Sequence, residues 1–156
     1  MFNLVLYHPE IPPNTGNCMR LAANTGATLH LIEPLGFTLD DAKLRRAGMD
    51  YRDLAVTRVH RDLETWLEQS RPARVFALAK TGPTRYTEVA FAEGDSFLLG
   101  PESVGLPVEV LDAAFVTQVI HIPMQAGVRS LNLANAASIV LYEAWRQLGF
   151  ATHPAT

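Results

Sequence analysis

The sequence predicts an α/β domain whose sheet is mostly parallel and flanked by helices. Three observations carry that expectation. Apolar runs of strand length recur at residues 2–7, 28–32, 74–79 and 97–99 without polar alternation, as strands covered on both faces require. Helical patterns lie between most of these runs, and strands alternating with helices are the mark of a parallel sheet. With 156 residues and 48% hydrophobic side chains, the chain has material for one sizeable core.

The first strand, residues 2–7, stops at His8-Pro9-Glu10-Ile11-Pro12-Pro13, where proline is too frequent for a strand or helix to continue. Asn14 is then expected to begin and cap a helix, with Leu21, Ala22 and Thr25 at helical spacing and Gly26 closing it. A strand at 28–32 leads to a loop at 33–39. Asp40 or Asp41 can cap a short basic helix running through Ala47. A weaker strand is expected at 55–59, and Asp62 caps a helix through Gln69. The strand at 74–79 gives way to a polar loop, 80–86, containing Gly82 and Pro83.

The strand at 97–99 is followed by Gly100-Pro101-Glu102-Ser103-Val104-Gly105-Leu106-Pro107, a tight turn in which Pro107 can start a short helix. A strand at 116–122, a polar loop at 123–129 and a final helix from about Ser130 to Leu148 complete the pattern. Residues 1–150 thus read as one domain, and residues 151–156 as a flexible tail. No repeat, linker or low-complexity tract interrupts them.

Several function classes are disfavoured. The net charge is −3 and the sequence pI about 5.9, so bulk electrostatics do not announce a nucleic-acid binder. Lys43, Arg45, Arg46 and Arg52 nevertheless cluster. The single cysteine, Cys18, excludes an internal disulfide and is expected simply to pack. No stretch approaches the ~20 apolar residues of a membrane span, and no secretory signal is visible, so a cytoplasmic protein with no membrane partner is expected. The histidines show no ligand spacing, and no metal is assigned. The G-x-G-x-x-G, phosphate-loop and G-x-S-x-G motifs are all absent.

Ligands of parallel sheets bind beyond the carboxyl ends of the strands, here in the loops after Ala79, Leu99 and Ile122. Ser130-Leu131-Asn132 is expected on the first turn of the last helix, facing that region. The run from Asn14 to Arg20 admits two readings. One is a capped helix with a solvated arginine. The other is a helix whose Asn14, Asn17 and Arg20 meet a nucleic-acid phosphate or hydroxyl.

These residues carry a resemblance. Asn14-x-Gly16-Asn17-x-x-Arg20, Leu99-Gly100-x-Glu102-x-x-Gly105-Leu106-Pro107, and Ile122-Pro123-Met124 followed by Ser130-Leu131-Asn132 resemble the three motifs of the SPOUT RNA methyltransferases. Within that superfamily the chain is most similar to the minimal tRNA 2'-O-methyltransferases of the YibK type, from residue 2 to about 150.

The resemblance implies a fold whose carboxyl-terminal segment threads a loop to form a deep trefoil knot. It implies S-adenosylmethionine (S-adenosyl-L-methionine) as cofactor, with Leu78, Gly100, Ile122 and Ser130 in contact and Glu102, Leu131 and Asn132 supporting the pocket. It implies a homodimer with active sites shared between subunits. The implied substrate is the wobble nucleotide of tRNA-Leu isoacceptors, methylated on its ribose. Ala134 and Cys18 depart from the residues common in the family at their positions, without removing a group of chemical interest.

A guanidinium stays protonated in protein settings, so Arg20 is read as polarising the 2'-hydroxyl rather than as a literal base. Tyr142 is expected to position the nucleotide by stacking or through its hydroxyl, an interface or core tyrosine being the competing reading. Arg129, Arg45 and Arg46 are candidates for phosphates of the anticodon stem-loop, against a solvated surface. A side chain at Gly100 is expected to occupy the cofactor's space. The alternatives are a 2'-O-methyltransferase acting on another tRNA or rRNA ribose, and a non-catalytic RNA-binding module with a relict pocket.

Overall fold

The computed structural model describes residues 1–40 and 56–152. The expected basic helix through Ala47, the residues Lys43, Arg45, Arg46 and Arg52, the start of the strand expected at 55–59 and the last four tail residues lie outside the described residues.

Among the described residues, seven strands form one sheet in the order β3-β2-β1-β6-β4-β7-β5, and every described pairing is parallel. They are β1 (Asn3–Tyr7), β2 (Thr28–Ile32), β3 (Thr57–His60), β4 (Val75–Leu78), β5 (Thr84–Arg85), β6 (Ser96–Leu99) and β7 (Gln118–His121). The helices are α1 (Pro12–Thr25), α2 (Leu63–Ser70), α3 (Val108–Leu111) and α4 (Leu133–Gln147). β1 lies between β2 and β6, in a register that sets Leu4 beside Leu29 and Phe97.

Because strand side chains alternate, consecutive apolar residues feed two cores. Leu4, Leu6, Leu29, Leu31, Phe76 and Phe97 pack on one face with α1 and α4. Val5, Ile32, Val75, Ala77 and Leu98 pack on the other with Trp66 of α2 and Val110 of α3. α4 buries Leu133, Ala137, Val140, Leu141 and Ala144, the stripe of a helix lying on a sheet. Cys18 is buried in the first core, and burial together with nearby Glu102 pushes its thiol pKa up to about 12. It packs as an inert apolar group.

Three boundaries differ from the expectation. Ile11, not Asn14, is the N-cap of α1, and Pro12 and Pro13 occupy its first turn. Proline is tolerated there because first-turn N–H groups have no helical partner to lose. α4 begins at Leu133, so Ser130 and Leu131 precede it, and Asn132 is its cap, accepting from Ala134 N at 2.9 Å and Asn135 N at 3.2 Å. The loop expected at 80–86 contains the edge strand β5, whose two residues are too few to show a period and are defined only by pairing with β7. Asp62 caps α2 as expected.

Toward the sheet's other edge, a line of polar side chains runs from half-buried Asn3 through buried His30 and His60 to exposed Gln69. His30 Nδ1 lies 2.9 Å from His60 Nε2, His30 Nε2 lies 3.2 Å from Asn3 Oδ1, and His60 Nδ1 lies 3.1 Å from Gln69 Oε1. Burial first, then the neighbouring His60 and Arg58, push the His30 pKa down to about 4 from 6.5. The unfolded chain therefore binds more protons between those values, so stability is full above the upper one and falls as pH drops through the window. Denaturant unfolding should show a loss of about 2 kcal/mol between about pH 7.5 and about pH 5 from this group. The His30→Gln variant should lose most of that dependence, keeping the smaller share from His60 and His8, whose values burial also lowers.

Candidate active site

The carboxyl ends of β1, β4, β6 and β7 lie together in the sheet, and the segments after them enclose a cleft of about 680 Å³. Its walls are mostly apolar, including Leu78, Leu99, Ile120, Ile122 and Leu133. Polar groups enter from Asn14, Lys80, Thr81, Glu102, His121, Ser130 and Asn132.

Close backbone crossings shape this cleft. A Cβ on Gly100 would stand 2.3 Å from Leu106 N and 2.4 Å from the Gly105 carbonyl carbon. The loop after β6 thus folds back onto its own first residue. The sequence expectation that Gly100 leaves room for a ligand is corrected on this point: the space a side chain would take belongs to the loop itself. Gly82 is similarly pressed on β7, where a Cβ would meet Ile120 backbone atoms at 2.8 Å. Lys80 Nζ then donates to Val128 O at 2.9 Å, tying the segment after β4 to the one after β7.

One carboxylate joins the walls. Glu102 accepts from Glu10 N at 2.8 Å, from Ile11 N at 3.1 Å and from Asn14 Nδ2 at 3.3 Å. Asn14 Oδ1 in turn accepts from Asn132 Nδ2 at 2.8 Å, while Asn132 Oδ1 caps α4. Asn14 is buried, so both ends of its amide need partners, and it has them. The starts of α1 and α4, which are over a hundred residues apart, are bridged by two asparagines and a glutamate.

Leu78, Gly100, Glu102, Ile122, Ser130, Leu131 and Asn132, the expected cofactor residues, all line this cleft. Asn14 lines it too, although as a link between walls and not as a cap. Asn17, Arg20, Arg129 and Tyr142 do not line it. Asn17 and Arg20 are exposed one turn apart on α1, and Arg129 is exposed on the loop after β7. Tyr142 is 43% exposed on α4, edge-on to Trp145, which in turn meets Phe150 edge-on.

Sequence reasoning passed over His121, whose Nδ1 is buried with no hydrogen-bond partner among the described residues. The histidine lies between the cleft and a smaller recess of about 320 Å³ lined by Lys80 and residues 121–127. No local motif marks it, since only the crossing of two loops makes it part of the wall. Among the described residues, no group of three His, Cys, Asp or Glu side chains could hold a metal ion.

Comparison with known proteins meets this geometry. The SpoU rRNA Methylase family profile matches residues 1–142. The tRNA (cytidine(34)-2'-O)-methyltransferase of Escherichia coli K12 is 53% identical over 150 residues, covering 96% of each chain. A solved structure described as giving structural insights into the 2-OH methylation of C/U34 on tRNA superposes with a TM-score of 0.87 at 51% identity, covering 97% of this chain and 98% of the other. An AdoMet-bound rRNA methyltransferase from Sinorhizobium meliloti superposes at 0.80 with 28% identity, covering 94% of this chain and 56% of that one. With the profile spanning most of the chain and relatives more than half identical along nearly all of it, the protein belongs to the SpoU rRNA methylase family.

Proposed function

We propose that the protein transfers a methyl group from S-adenosylmethionine to the 2'-hydroxyl of the wobble nucleotide of tRNA, position 34. The observation that carries this reading is the convergence of all seven expected cofactor residues on one cleft. The names of the relatives support the site of modification, cytidine or uridine 34. The finer target, cytidine or 5-carboxymethylaminomethyluridine of tRNA-Leu isoacceptors, rests on the resemblance of the sequence motifs.

The residues fit the cofactor. A cleft of this size is in the usual range for small-molecule sites. Leu78, Leu99, Ile120 and Ile122 offer an apolar wall to an adenine ring, and Ser130 and Asn132 stand at its polar edge. The buried, unpartnered Nδ1 of His121 adds a group that a polar ligand atom can satisfy. When bound, the cofactor supplies an activated methyl on a sulfonium, so no metal is needed for the leaving group.

Glu102 is engaged by two backbone N–H groups and Asn14, which makes it a brace for the cleft and not a base. Arg20, exposed on α1, polarises the attacking hydroxyl and its neighbouring phosphate and stabilises the developing oxyanion. Asn17 flanks it one turn earlier. Arg129 with Arg45 and Arg46 would bind phosphates of the anticodon stem-loop, supplying locally the positive charge that the net −3 lacks.

We take residues 1–150 as one SPOUT methyltransferase domain with a carboxyl-terminal trefoil knot and residues 151–156 as a tail. The insertion of β7 between β4 and β5, with Gly82 and Lys80 pressed against the segment around it, supports the threading. A homodimer is supported by the positions of Arg20 and Tyr142 outside their own chain's cleft, and by the exposed aromatic edge of Tyr142 and Phe150. Tyr142 then positions the nucleotide at a site shared between subunits. We place the protein in the cytoplasm as a tRNA-modifying enzyme; among the described residues no helix is long and apolar enough to cross a membrane.

The test is transfer of labelled methyl from S-adenosylmethionine to tRNA lacking the modification, followed by nucleoside mapping. A 2'-O-methyl at position 34 is the expected product, and cofactor binding with no transfer to any tRNA would overturn the reading. Arg20→Ala should lower turnover by about 100-fold or more while cofactor affinity changes by less than about threefold. Gly100→Val should weaken cofactor binding and also lower the melting temperature by several degrees, because the side chain displaces the loop at Leu106; calorimetry and thermal unfolding read the two effects separately.

A further inference from the structure

Glu10 has no part in the proposed methyl transfer, yet its side chain closes a second clasp between the loops that follow β1 and β6. Its Oε2 accepts from Ser103 N at 3.0 Å and its Oε1 accepts from Ser103 Oγ at 2.7 Å. The neighbouring contact runs the other way, with Glu102 accepting from the backbone N–H groups of Glu10 and Ile11. Two loops over ninety residues apart therefore exchange carboxylates, each engaging backbone of the other.

A third segment holds Glu10 from behind. Gly36 N donates to Pro9 O at 2.9 Å, and a Cβ on Gly36 would stand 2.8 Å from Glu10 Cα. The backbone of Glu10 is thus fixed, and its side chain transmits that position to Ser103. Glu102 holds the loop before α1 at Glu10 N, Ile11 N and Asn14 Nδ2, and the bonds of Glu10 to Ser103 add a second set in the opposite direction that further resists rotation of the two loops.

Rotation matters because Ile11 is the cap of α1, and a turn there shifts the helix against the core on which Cys18, Met19 and Leu21 pack. Arg20 lies nine residues beyond the cap, about 13 Å along a rigid helix. A tilt of about 10° at the cap would carry Arg20 about 2 Å sideways, while misplacements near 1 Å can cost 100-fold in rate. We infer that Glu10, acting through Ser103, is a positioning residue that holds α1, and with it Arg20, in register with the cofactor wall of the cleft. This inference rests on the methyl-transfer reading for its kinetic consequence and on geometry alone for its structural one.

Wild-type protein, Glu10→Ala, Glu10→Gln and Ser103→Ala are compared by single-turnover methyl transfer to tRNA, by calorimetric cofactor titration and by amide hydrogen exchange. In Glu10→Ala, turnover should fall about 10- to 100-fold while cofactor Kd moves by less than about threefold. Amides of Ser103 and of the first turns of α1 should exchange faster in the same variant, with or without cofactor. The clasp is partly exposed, so its loss should lower the melting temperature by no more than about 4 °C. Glu10→Gln should recover most of the turnover, since its amide oxygen can accept from Ser103 N–H while its NH2 donates to Ser103 Oγ. Ser103→Ala keeps the backbone bond and should fall between.

Wild-type turnover and unchanged α1 exchange in Glu10→Ala would overturn the inference, as would a loss confined to cofactor Kd. Should Glu10→Ala fail to fold, Ser103→Ala carries the same two readouts, and wild-type values for both would count against the clasp. If the wild-type protein itself transfers no methyl, the functional reading fails, while the exchange comparison still decides whether Glu10 holds α1.

Discussion

The hydrogen bonds gathered on Glu102 are the junction on which the cleft depends. The carboxylate takes N–H groups from Glu10 and Ile11 and the amide of Asn14. Asn14 passes the connection to Asn132, which caps α4. Loops at strand ends have conformational freedom that must be removed before they can form a wall, at about 1–2 kcal/mol per residue. Here that ordering is shared among groups of which Asn14 is buried and Glu10 and Glu102 are half-buried. Removing one member would leave a buried amide or carboxylate without partners, which costs more than the bond itself contributes.

Backbone packing does the rest. Gly36 and Gly82 lie against the main chain of another segment and Gly100 against that of its own loop, each too close for a side-chain carbon to fit between. The cleft's outline is therefore set by chain crossings more than by the size of its lining side chains. Its chemistry comes from the few polar groups that those crossings aim inward, His121 among them.

The proposed chemistry divides between two regions. The cleft collects the residues suited to the cofactor, and α1 carries Arg20 and Asn17 outward toward a substrate. Core packing of Cys18, Met19, Leu21 and Ala22 seats α1 along its length, and the contacts at its start set the direction in which it carries the arginine. The exchange of carboxylates between Glu10 and Glu102 supplies that constraint at the helix start. Buried Asn14 on the same first turn ties α1 to α4 as well.

The sequence alone determined the class of fold, because uninterrupted apolar strands between helical patterns have few solutions other than a parallel sheet covered on both faces. It also placed the caps at Asp62 and the close of α1 at Gly26, which depend on neighbours within a few residues. The resemblance named Leu78, Gly100, Glu102, Ile122, Ser130, Leu131 and Asn132, which all line the cleft, and passed over His121, which lines it too. What only the tertiary structure decided is long-range. The strand order, with β6 between β1 and β4 and β7 between β4 and β5, has no local signal. Neither has the two-residue β5, nor the role of Asn14 as a bridge in place of a cap. Arg20 shares a motif with Asn14, and Tyr142 a helix with Leu133, yet both stand outside their own chain's cleft, since sequence order fixes distance along the chain and only packing fixes distance in space. The meaning of Glu10 was equally invisible: its partner is Ser103, 93 residues away, and no pattern within a helix or strand spans such a separation.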